Sequence, residues 1–156
     1  MANVNFKDLL TEYGDSHRNL VNKAFHWVCV PAIYFSIVGM LMAIATPWAK
    51  SWWMNFASIG MLIALVYYFR MSFKVGLFFV LLDVIVLMGN WFILKSIGWN
   101  NNQLALISLL IFVVAWIGQF IGHKIEGKKP SFFKDLQFLL IGPAWLANHI
   151  LPGLSR

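Results

Sequence analysis

Charged side chains are scarce in this chain. Only 12% of its 156 residues are Asp, Glu, Lys or Arg, where soluble domains run near 25%. Water is therefore not the main solvent of the fold. Cysteine is scarcer still: the lone Cys29 excludes an intramolecular disulfide and reads as a small apolar packing residue. There is no nucleotide-binding glycine loop, no G-x-S-x-G elbow and no C-x-x-C pair. Their absence removes the sequence signatures of phosphate-loop, serine-hydrolase and dithiol chemistry. Internal repeats and low-complexity segments are also missing. Met1 to Asp15 is polar and mixed in charge, without an apolar stretch ahead of a small-residue cleavage site, so no signal peptide is expected.

What is abundant is apolar surface, at 60% of residues. Four long apolar stretches run over about 27–46, 53–69, 75–94 and 104–122, the second of them short. A bilayer core about 30 Å thick needs about 20 helical residues, within a range of about 17–25. Backbone groups in lipid must bond within their own segment, which selects helices. Barrel strands would alternate polar and apolar residues, and these stretches do not. The expected fold is all-α: one integral membrane domain over 1–156, a four-helix bundle joined by short connections at 47–52, 70–74 and 95–103.

The net charge of +6 would suit nucleic acid, but on a chain this apolar it sets topology and draws anionic lipid headgroups instead. No nucleic-acid partner is expected. With four spans, ten of the twelve basic residues fall on one side, and only Lys50 and Lys95 on the other. The positive-inside rule then makes both termini cytoplasmic and builds a cytoplasmic cap from them. The membrane would be the inner membrane of a bacterium or the endoplasmic reticulum of a eukaryote. A further apolar segment within about 131–151 is short and interrupted by Gly142 and Pro143. It is expected to be an interfacial or re-entrant helix, with a fifth span as the alternative.

On this topology His17, His26, His123 and His149 all lie near cytoplasmic helix ends. Histidine is the commonest metal ligand, and ionisable groups at membrane depth are functional candidates. Taken singly, each reads more readily as an interfacial or hydrogen-bonded core residue than as a ligand. Clustered on one side, they point to a metal. Gln119, His123 and Glu126 share one helical face by spacing, as do Asn22 and His26. His17 and His26, nine residues apart, would point oppositely on one straight helix. If both bind one metal, the chain must break between them, or His17 must end a preceding helix that folds back. Lys124, Lys128 and Lys129 read both as a positive-inside anchor and as a recruiter of acidic headgroups. Asp83 and Asn90 share a face inside the third stretch and are expected to face the bundle interior. Most tryptophans sit near span ends, as an interfacial belt.

Two segments carry a family resemblance: H-R-N-L-V-N-K-A-F-H-W-V-C-V-P, from His17 to Pro31, and Q-F-I-G-H-K-I-E-G-K-K-P, from Gln119 to Pro130, followed by F-K-D-L-Q-F-L-L-I-G-P to Pro143. Together they resemble the membrane-bound 2-hydroxy fatty acid dioxygenases, small four-helix enzymes of fatty acid α-oxidation, over nearly the whole chain in order and hydropathy. The resemblance implies an Fe(II) enzyme using O₂, with His17, His26 and His123 as the required histidines. It implies cleavage between C1 and C2 of a long-chain 2-hydroxy fatty acid, giving an acid one carbon shorter. Leu20 stands where a proline is usual, and the acid that follows the third histidine, here Glu126, has no fixed offset in the family. Glu126 and His149 are further candidate ligands on their position. Asn22 and Gln119 are candidates to orient imidazoles, and Lys124, Lys128 and Lys129 to favour the substrate carboxylate. Membrane lipid is an expected partner. Two rival readings are a haem-binding electron carrier and a non-enzymatic lipid-binding or scaffold protein.

Overall fold

A computed structural model describes residues 19–48, 51–127 and Pro143. Four helices account for most of them: α1 (Leu20–Ala43), α2 (Phe56–Met71), α3 (Phe73–Ser96) and α4 (Asn101–Glu126), and no strand occurs among the described residues. The all-helical fold read from hydropathy is the fold found. Helices α1, α3 and α4, with 24, 24 and 26 residues, are each long and apolar enough to cross a membrane. Helix α2 has 16 residues, or about 24 Å at 1.5 Å per residue, less than the ~30 Å of a hydrocarbon core. The expected segment at 131–151 and the cap built from the termini lie outside the described residues.

Helix ends are set by polar residues that hydropathy does not see. Helix α1 begins seven residues before the first apolar stretch because Asn19, extended at ψ 130, caps it by accepting from the Val21 N–H at 2.8 Å. It ends at Ala43, where Ile44 turns extended at ψ 127, although the apolar run continues to Thr46. Asn55 caps α2 through the Ser58 N–H, and Asn100 caps α4 through the Gln103 N–H, both at 3.1 Å. Between α2 and α3 the expected link over 70–74 shrinks to the single residue Ser72. Helix α4 runs past Gly122 to Glu126 and stops at Gly127, whose φ of 74° is the left-handed cap conformation.

The bundle buries polar side chains beside its hydrophobic core and turns apolar ones outward. Its interior holds Asn22, His26, Ser36, Asp83, Asn90, Ser108, Gln119 and His123, all buried. Its outer faces present Leu81, Ile85, Phe92, Leu110, Val114 and Ile117. Apolar faces this extensive call for lipid as the surrounding medium, and the chain is membrane-associated. As expected, Asp83 and Asn90 face inward: the Tyr34 hydroxyl donates to the Asp83 carboxylate, and Asn90 Nδ2 donates to the Phe35 and Val86 carbonyls at 3.2 and 3.1 Å.

Helix α1 is the common partner, pairing most extensively with α4 and also touching α2 and α3, while α2 packs on α3. Asn19 meets Glu126 and Cys29 meets Gly118, so α1 and α4 are antiparallel. Phe69 meets Gly76, and Leu41 meets Gly60, so each successive helix reverses direction. Lys23, Arg70, Lys74 and Lys124 therefore lie toward one end of the bundle, and Lys95 toward the other. On the α2–α3 side, Tyr68 stacks on Phe79 with ring centroids 3.7 Å apart, both fully buried. Phe79→Ala is expected to cost about 3–5 kcal/mol through lost contacts and the cavity left behind. Phe92→Ala, on the lipid-facing surface, should leave the melting temperature in detergent nearly unchanged. Thermal unfolding of the two purified variants checks the contrast.

Candidate functional site

The N-terminal turns of α1 lie against the C-terminal turns of α4, and both are built from the residues that the sequence singles out. A residue larger than glycine at position 122 would not fit between them. A Cβ added there would sit 2.5 Å from Asn22 Oδ1 and 3.2 Å from Phe25 Cβ. One turn further along, a Cβ at Gly118 would sit 2.6 Å from Cys29 Sγ. Small residues let two membrane helices approach closely, and this approach brings His26 and His123 together. Their rings meet edge to face with centroids 5.1 Å apart, and both side chains are more than nine-tenths buried.

The His26 ring is held from its own helix. Its Nδ1 lies 2.9 Å from the Asn22 carbonyl oxygen. A carbonyl only accepts, so Nδ1 carries the proton in that bond, and the lone pair of the neutral ring is on Nε2. Asn22 is in turn held from α4: its Nδ2 donates to Glu126 Oε2 at 3.0 Å. The Asn19 backbone N–H also donates to the Glu126 carboxylate, at 3.0 Å to Oε2 and 3.2 Å to Oε1. The carboxylate of α4 thus closes the N-terminus of α1, a favourable place for negative charge. Helix α1 has no acid of its own in that turn.

Two fully enclosed acceptor oxygens face this region without a hydrogen-bond partner, Asn22 Oδ1 and Gln119 Oε1. Gln119 is one turn before His123 on the same face of α4. Lys124 is exposed beside the site. The structure therefore brings together Asn22, His26, Gln119, His123 and Glu126. His17, Lys128, Lys129 and His149 lie outside the described residues, and among those described no group of three metal-ligating side chains forms. Ahead of His26, Asn19 is extended and α1 starts after it. Leu20 falls at the first helical position, where proline is well suited but not required. Sequence reading missed Asn19, whose cap is local but whose contact with Glu126 depends on a partner 107 residues away.

An apolar groove borders the site. It has a volume of about 690 Å³ and follows α1 and α4 from Val21 and Ala24 past Phe25 and Val28 to Ala32 and Leu110. Phe25 precedes His26, and Gly118, also in its wall, precedes Gln119.

An all-helical, membrane-associated protein with a buried histidine pair at one end of its bundle is the class that fold and site define. Within that class, the chain belongs to the 2-hydroxy-palmitic acid dioxygenase Mpo1-like family, whose model matches residues 4–153. No curated protein and no solved structure matches it. The dependence of the site on the α1–α4 approach is open to test. Gly122→Val should destabilise the protein by about 1–3 kcal/mol through overpacking, whereas Ile121→Val, on the exposed face, should not. Melting temperatures in detergent separate the two outcomes.

Proposed function

We propose that this protein is an Fe(II)- and O₂-dependent dioxygenase that cleaves the C1–C2 bond of long-chain 2-hydroxy fatty acids. The observation that carries the reading is the buried pair of imidazoles, His26 and His123, at a bundle end, in a chain whose family model is named for 2-hydroxy-palmitic acid dioxygenase. His17 is proposed as the third ligand on the family resemblance. The donor set fits the metal: neutral imidazole suits iron, the Nδ1 bond of His26 leaves the ligating lone pair on Nε2, and two unpartnered buried oxygens offer acceptors nearby. When bound, Fe(II) would supply open coordination positions for O₂ and for the hydroxyl and carboxylate of the substrate.

The residues of the chain do the positioning. Asn22 and Glu126 hold the His26 ring, and Gln119 lies beside His123. Lys124, with Lys128 and Lys129 in the same basic stretch, favours an ionised carboxylate at this end of the bundle. The groove along α1 and α4 gives an alkyl chain an apolar bed walled in part by Phe25, the residue before His26. The reaction balances without a further reductant. C2 passes from alcohol to carboxyl and C1 from carboxyl to carbon dioxide, releasing four electrons. O₂ accepts all four, leaving one oxygen atom in the shortened acid and the other in water. No 2-oxoglutarate is needed.

The chain is proposed to be multi-pass. All four helices would cross, α2 falling short of the hydrocarbon thickness and needing its flanking residues or local thinning of the bilayer to do so, and both termini would be cytoplasmic. The alternating helix directions and the gathering of Lys23, Arg70, Lys74 and Lys124 at the histidine end support this orientation. A reporter that acts only outside the cytoplasm should be silent when fused after Arg156; activity there would mean an odd number of crossings.

The reaction is tested with purified protein, Fe(II) and O₂. A 2-hydroxy long-chain acid should be shortened by one carbon, and removal of oxygen or addition of an iron chelator should stop the conversion. The same acid without its hydroxyl should be a much poorer substrate, by as much as about 10⁴-fold, because a site built around a polar group rejects an analogue lacking it. His26→Ala and His123→Ala should each lower bound iron and abolish turnover. Equal turnover of the two acids would overturn the reading, and a haem absorption band in the purified protein would replace it with electron transfer.

A further inference from the structure

The spacing of His123 and Glu126 on one face of α4 suggests a metal-binding pair, yet the Glu126 carboxylate is engaged elsewhere. It receives the Asn19 backbone N–H and the Asn22 side-chain amide, three contacts at 3.0–3.2 Å. A carboxylate offers about four lone-pair directions over its two oxygens. These contacts all come from the first turn of the facing helix. The location is also unfavourable by local rules: an acid at the C-terminal end of its own helix opposes the helix dipole. Glu126 is the last residue of α4, and the N-terminus of α1 is what makes the charge favourable there.

The consequence runs through the first turn of α1 to the histidine. The Asn22 side chain is tied to α4 through Nδ2, which donates to Glu126, and its Oδ1 occupies the space that a Cβ at position 122 would need. Its backbone carbonyl accepts from His26 Nδ1. That carbonyl belongs to the first turn of α1, which the Asn19 and Asn22 contacts tie to Glu126, so holding the turn in place keeps the acceptor opposite His26 Nδ1. We infer that Glu126 is a positioning residue that acts on His26 by holding the first turn of α1, and that it is not itself a metal ligand. The metal half of this inference rests on the proposed function; the positioning half stands without it.

The two halves call for two readouts on the full-length protein in detergent. Nitrogen-15 NMR of labelled imidazoles reports the His26 tautomer with no metal present. Wild type should show the proton on Nδ1. Glu126→Ala should populate the Nε2–H form, and Glu126→Gln, which keeps an acceptor for Asn19 and Asn22, should restore the wild-type tautomer. An unchanged tautomer in Glu126→Ala, in protein that elutes as wild type on gel filtration, would overturn the positioning role. Should that variant fail to fold, Asn22→Ala takes its place: it keeps the backbone carbonyl but removes one tie to Glu126, so it should show a smaller share of the Nε2–H form, and an unchanged tautomer there would be equally damaging.

Co(II) then serves as a spectroscopic probe of the ligand set. Glu126→Ala should weaken Co(II) binding by about 10- to 100-fold, the usual cost of losing a group that orients a ligand, with the visible bands where wild type has them. Glu126→Gln should weaken it by less than about tenfold. Displaced bands in both variants would make Glu126 a ligand and overturn the inference. If wild type binds no Co(II) while the tautomer responds as described, the metal reading fails and the positioning role survives.

Discussion

The close approach of α1 to α4 is the constraint on which the rest depends. In lipid, two apolar helices gain little by hiding from solvent, because the surrounding chains are as apolar as their own side chains. Packing and polar contacts must hold them instead. Glycine at 118 and 122 leaves room for Cys29 and Asn22 to seat against the α4 backbone. Only at that separation can Glu126 reach both Asn19 and Asn22. A wider spacing would part His26 from His123 and leave the Asn22 amide enclosed without its partner, which costs about 1–3 kcal/mol for a single unsatisfied group. The seam is thus self-supporting: small residues allow polar contacts, and polar contacts keep the small residues in register.

The rest of the bundle secures α1 from its other side. The Tyr34 hydroxyl binds Asp83, and Asn90 of α3 reaches the Phe35 carbonyl. Deeper along the same helix, Val38 and Met42 pack with Ala57, Met61, Val86 and Leu87 in the larger hydrophobic cluster. Pro31 lies between the histidine turn and this anchored half. It supplies no N–H, so the Trp27 carbonyl lacks its usual helical donor, and a proline inside a helix is where a kink arises. Both halves of α1 pack on α4, through Ala115 near Cys29 and Ile33 and through Leu104 and Ser108 beyond, and the second half adds the contacts with α2 and α3.

Much of this was legible in the sequence, for identifiable reasons. Long apolar runs report lipid-facing surface, and that surface covers most of each helix, so the four helices stood out. The boundaries did not, because Asn19, Asn55 and Asn100 set them by hydrogen bonds that no hydropathy window registers. Residues on one helix could be related by period: Gln119, His123 and Glu126 do share a face, and Asn22 does lie one turn before His26. What period cannot supply is the partner across the seam. The spacing His123-x-x-Glu126 looks the same whether the acid binds a metal or caps a helix, and the contacts with Asn19 and Asn22 come from a facing helix that spacing does not register.

The position of the histidine pair along the bundle bears on its chemistry. His26 is the seventh residue of α1 and His123 the fourth from the end of α4, so at 1.5 Å per residue both lie within about 10 Å of the helix ends. That depth is where a fatty acid headgroup resides when its chain is in the hydrocarbon. The groove continues from this level toward Ala32 and Leu110, along the direction an alkyl chain already takes in a bilayer. A substrate arriving from the membrane would need little reorientation to place its polar end beside the imidazoles. The bilayer would then do part of the work of orientation that a soluble enzyme must build from its own contacts.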